Sequence, residues 1–151
     1  MVVPLILYDK SHHVIGIGNN QGESLLANYT LLAALAAAPV QLDLEALKVG
    51  QLPTAGTIAE ADTCAVQTTY MFIALSSSDQ LSEADKKSQL VAPRKAWVLK
   101  AAELRGTNAG AYMNDKAVTA ATISMAEIPS DSHFDLHRLC RERLIAGPKP
   151  Q

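Results

Sequence analysis

Residues 66–75, VQTTYMFIAL, decide the fold read from this chain, because β-branched and aromatic side chains dominate them and both alternating faces turn apolar near the end. Such a run reads as a central strand covered on two sides. Other runs supply its partners. Residues 2–8, with Pro4 near the start, and residues 13–18, HVIGIG, flank the polar turn Asp9, Lys10, Ser11 and His12 and read as an antiparallel hairpin. Residues 117–128 set Val118, Ala120, Thr122 and Ser124 against Thr119, Ala121, Ile123 and Met125 and read as another strand. Residues 40–44 alternate as well, although Asp43 could instead cap a short helix ending at Gly50.

Helices fill the intervals. Residues 24–38, SLLANYTLLAALAAA, carry no charge and consist mostly of helix formers, so they are expected to be the central helix. Leu25, Leu31, Leu32 and Leu35 share one face, and Ala27, Thr30, Ala33, Ala34 and Ala37 line the other, where a second backbone could approach closely. Asn28, Ala33 and Ala37 are therefore the candidate interface residues. Asn28 needs a hydrogen-bond partner there, at a cost of about 1–3 kcal/mol if it finds none. Ser82 to Asp85 has the S-x-x-D form of a helix start, continued to Leu90. Pro93 fits the first turn of a further helix over residues 94–105, in which Trp97, Ala101 and Leu104 share a face and which Gly106 ends. The last helix is capped by Ser130 or Ser132, buries Leu136, Leu139, Cys140 and Leu144, and closes at Gly147 and Pro148. Together these elements predict a single α+β domain over residues 1–151, a two-layer sandwich with a three- to five-stranded sheet and helices mainly on one face.

A chain of 151 residues can bury a core without staples. Its formal charge of −2 gives no basic footprint for nucleic acid or an anionic membrane. Only 19% of residues are charged, against about 25% in an ordinary domain. So sparse a charge favours covering part of the surface with homo-oligomer partners or particle neighbours. The start of the chain, Val2 to Leu7, has no basic lead and no small-residue cleavage site, and reads as no signal peptide. The uncharged run over residues 24–38 is broken by Asn28, Tyr29 and Thr30, stopped by Pro39, and falls short of a membrane span. A soluble protein of a reducing compartment, cytoplasmic or within a virion, is expected.

One constellation points to chemistry. His133, His137 and Cys140 stand at i, i+4 and i+7 on the last helix and could offer two imidazoles and a thiolate to zinc, with Cys64, His12, His13 or Asp135 as a further ligand. Against it, histidines bordering an apolar stripe commonly bond a backbone carbonyl. Cys64 and Cys140 match no disulfide-scaffold spacing and read as buried free thiols. Gly16, Gly18 and Gly22 match no phosphate-loop pattern, which leaves a small-ligand site at that loop as a weaker alternative. Arg138, Arg141, Arg143 and Lys149 favour the negative end of the last helix, and would hold nucleic acid only weakly. The function expected is a non-enzymatic structural or assembly subunit of an oligomer or larger particle, of phage or viral type, with no cofactor. The alternatives are a small metal-binding protein or metal-dependent enzyme built on the His-x3-His-x2-Cys face, and a small-ligand binding domain.

Overall fold

A computed structural model describes residues 38–147. The elements expected over residues 2–8, 13–18 and 24–37, the Gly16 to Gly22 loop, the interface residues Asn28, Ala33 and Ala37, and Lys149 lie outside the described residues. Within them every regular element is helical. In chain order these are α1 (Leu44–Lys48), α2 (Ile58–Leu75), α3 (Glu83–Asp85), a π-helical segment (Lys86–Val91), α4 (Ala92–Leu104), α5 (Ala109–Met113), α6 (Lys116–Ser124), a 3-10 turn (Met125–Glu127) and α7 (Ser130–Ala146). The α+β sandwich is therefore corrected to a mainly α fold, with no strand among the described residues.

Residues 66–75 are the second half of α2 rather than a strand. The decision is made upstream, at Thr57, whose side chain accepts from Glu60 N at 3.1 Å while Glu60 Oε2 accepts from Gly56 N at 2.7 Å. This reciprocal cap starts a helix in which neither glycine nor proline interrupts the 18 residues. β-Branched residues are tolerated because the helix is enclosed: every residue from Glu60 to Thr69 is buried. The Thr68 hydroxyl donates to the Cys64 carbonyl at 2.7 Å, so it leaves no unmet polar group inside the helix. Burial of Val66 to Thr69 on every side, followed by an exposed Ile73, hides the 3.6-residue period and makes the run look like a core strand.

The same correction applies to residues 117–128. Asp115 caps α6 by accepting from Ala117 N at 2.6 Å, and the residues turned inward are Val118, Ala121 and Met125, at helical spacing. Thr122 and Ser124 bond back to the carbonyls of Val118 and Ala121. For residues 40–50 the helical alternative is the one observed: Asp43 accepts from Ala46 N at 3.1 Å, and α1 ends ahead of Gly50 at φ +74°. The helix start at Ser82 and the stop at Gly106, φ +68°, are also observed. Between them α3, the π-helical segment and α4 run without a break. The buried face of α4 is Trp97, Val98, Ala101 and Ala102, whereas Leu104 is exposed.

Helix α2 is the hub, packed on α4, α7 and α6. Its polar side chains are tied outward. Asp62, 2% exposed, accepts from Arg105 Nε at 2.9 Å, from the other arm of the Arg105 guanidinium at 2.6 Å and from the Tyr112 hydroxyl at 3.0 Å. The bond to Asp62 raises the basicity of Arg105, while burial and then the Asp62 carboxylate push the Tyr112 phenol far up, so it stays a donor. Arg105 also donates to the carbonyl of Ala38. Removing one member of such a group strands the others, at about 3–5 kcal/mol. Asp62→Ala should lower the stability measured by urea unfolding by about that amount, whereas Asp135→Ala, at an exposed pair with Arg138, should change it by less than about 1 kcal/mol.

Candidate functional site

The residues singled out for chemistry meet along the seam between α2 and α7. Cys140 and Cys64 are bonded to each other, with Cα atoms 5.6 Å apart. This corrects the free-thiol reading. A sulfur held in that bond offers no thiolate to a metal.

His133 is 5% exposed and stacks on Tyr70, with ring centroids 4.4 Å apart and planes 15° from parallel. Its Nε2 donates to the Met125 carbonyl at 2.9 Å, and its Nδ1 lies 3.2 Å from Gln67 Oε1. The Gln67 amide in turn donates to the His133 carbonyl at 3.0 Å. Burial holds the ring's basicity below the ordinary imidazole range, and the bond to Met125 works against that.

His137 has a different task. Its Nε2 donates at 2.8 Å to the carbonyl of Gln89, in the π-helical segment. The bond ties α7 to the π-helical segment just ahead of Pro93. The other ring nitrogen, Nδ1, is buried without a hydrogen-bond partner. Because Nε2 holds the proton, Nδ1 is a bare lone pair, and a second proton there would find no acceptor.

Neighbouring side chains of α7 are engaged in the same way. Arg143 bonds Glu60 Oε1 at 2.6 Å and the Pro53 carbonyl at 2.7 Å, Arg138 pairs with Glu142 and Asp135, and Arg141 lies near His137. Trp97 Nε1 donates to the Cys140 carbonyl at 2.9 Å, and the Ser132 hydroxyl to the Lys48 carbonyl at 2.7 Å. Among the described residues no three His, Cys, Asp or Glu side chains are grouped as metal ligands.

Elsewhere, an open groove of about 470 Å³ runs between Pro39 to Leu42, with Leu44 at the start of α1, and the Ala117, Ala120, Ala121 and Ser124 face of α6. Ile123, beside this face, is 70% exposed. Sequence reasoning missed Glu60, Asp62 and Gln67 as the polar anchors of the core. The T-x-x-E pattern at Thr57 to Glu60 was the signal that could have placed them on a helix. No described helix is long and apolar enough to cross a membrane. Comparison with protein-family models, with curated proteins and with solved structures finds no match.

Two measurements check the seam. The bridge closes a loop with a sequence separation of 76, so reduction should lower unfolding stability by about 4–5 kcal/mol, and Cys64→Ala with Cys140→Ala should reproduce the loss. The pH response follows from His137, whose basicity is lowered by burial first and by Arg141, against the raising effect of the Gln89 bond. Above about pH 6.5 the ring is neutral in both states and the contribution is complete. As pH falls through that value the unfolded chain takes up the proton first, and stability is lost by at most about 1.4 kcal/mol per pH unit. Urea midpoints should therefore fall between about pH 7.5 and about pH 5.5. His137→Gln, which retains an N–H for Gln89 and gains no proton, should show a smaller drop.

Proposed function

We propose that the chain is a non-enzymatic assembly subunit that meets further copies of itself through the groove face formed by Pro39 to Leu44 and α6. The observation that carries this is the exposure of Ile123, 70% accessible, next to a groove lined by Val40, Leu42, Leu44 and the alanines of α6. Small side chains let a partner's backbone or helix come close, and an exposed isoleucine beside them is an apolar anchor that water solvates poorly. The sparse charge of the whole chain, 19%, supports the same reading. So does the engagement of the buried ionisable groups described above with one another rather than with a cleft. A phage or viral source has no observation behind it and forms no part of the proposal.

Light scattering over a concentration series tests the idea. The native chain should associate as concentration rises, and Ile123→Glu should weaken that association about ten-fold or more. The unfolding midpoint of the variant should stay close to native, because the site is on the surface. A native chain that remains a monodisperse monomer at the highest concentration reached overturns the proposal.

A further inference from the structure

Three observations converge on the stretch ahead of the helical domain. The first is the bridge between Cys64 and Cys140, buried in the core, a kind of bond that lasts where the surroundings are oxidising. The second is the start of the described fold. Arg105 donates to the carbonyl of Ala38, and Val40 is a core residue. The third is the sequence immediately before it, LLANYTLLAALA over residues 25–36, an uncharged and largely apolar run that ends in Ala34-Leu35-Ala36. That run is too short to span a bilayer, yet it has the length of the apolar core of a secretory leader, and a small-x-small triplet is what a leader peptidase reads.

We infer that residues 25–36 are the apolar core and recognition end of a secretory leader, cut between Ala36 and Ala37 to release the helical domain into an oxidising compartment. The position of the cut is fixed by size. A break after Ala36 puts alanine at both small-residue subsites, Ala34 and Ala36, whereas a break after Ala37 would force Leu35 into one of them, and a break after Ala38 would have to open the amide of Pro39. The cut consumes one water, leaves the carboxylate on Ala36 and the new amine on Ala37, and keeps the Ala38 carbonyl that Arg105 holds. The two thiols then lose two electrons and two protons to a disulfide oxidoreductase of that compartment, forming the Cys64–Cys140 bond. The stretch ahead of the run carries Asp9, Lys10 and Glu23 and supplies no basic lead, so the apolar run and its alanine end are what mark the leader. On this account Asn28 and Ala33 depart with the leader and are not part of a lasting interface. The assembly face on α6 is independent of the cut.

Expression of the full chain in a Gram-negative host, with fractionation and intact-mass analysis, tests the inference. The periplasmic extract should hold a product whose first residue is Ala37 and whose cysteines resist alkylation until reductant is added. Leu32→Arg, which interrupts the apolar run outside the helical domain, should leave the precursor uncut in the cytoplasm. A pulse-labelled sample distinguishes precursor from product even if the product is short-lived. An intact Met1 chain in the cytoplasm with both thiols reactive overturns the inference, and so does a first residue other than Ala37 or equal processing of the Leu32→Arg variant.

Discussion

A helix segment buried on every side, as Glu60 to Thr69 of α2 is, must place its polar side chains against other protein, and four of its side chains reach partners on other elements. Asp62 reaches Arg105 and Tyr112, Glu60 reaches Arg143, Gln67 reaches His133, and Cys64 is joined to Cys140. Burying these groups unpaired would be strongly unfavourable, so the surrounding helices are held at the positions where the pairs close. Apolar contact among Val66, Trp97, Ala101 and Leu136 supplies the driving force. The polar contacts fix the register.

The misread elements share one cause. Residues 66–75 carry valine, threonines and isoleucine, a composition that favours strands, and with Val66 to Thr69 buried all round and apolar Ile73 exposed no amphipathic stripe marks a helix. Residues 117–128 mislead in another way: alanine and threonine give a weak apolar contrast, so a period of two fits as well as a period of 3.6. What was legible came from residues with a local mechanism. Asp43, Ser82 and Gly106 act through caps and φ angles that depend on few neighbours, and their readings agree with the fold.

The histidines of α7 show how far a spacing argument extends. Positions i, i+4 and i+7 do bring His133, His137 and Cys140 to the side of α7 that faces the core. What each meets there depends on distant residues: Met125 and Gln67 for His133, Gln89 for His137, Cys64 for Cys140. His137 and Gln89 stand 48 positions apart, so neither half of that pairing is visible in its own stretch of sequence.

The cross-link also gives the molecule a covalent topology. With Cys64 joined to Cys140, α3, the π-helical segment, α4, α5 and α6 all lie on one closed ring of chain, and only the ends pass outside it. A single protease nick in the loops at Ser78 or Thr107 would therefore sever the backbone without releasing a fragment. The two pieces would migrate as one species until the sulfurs were separated.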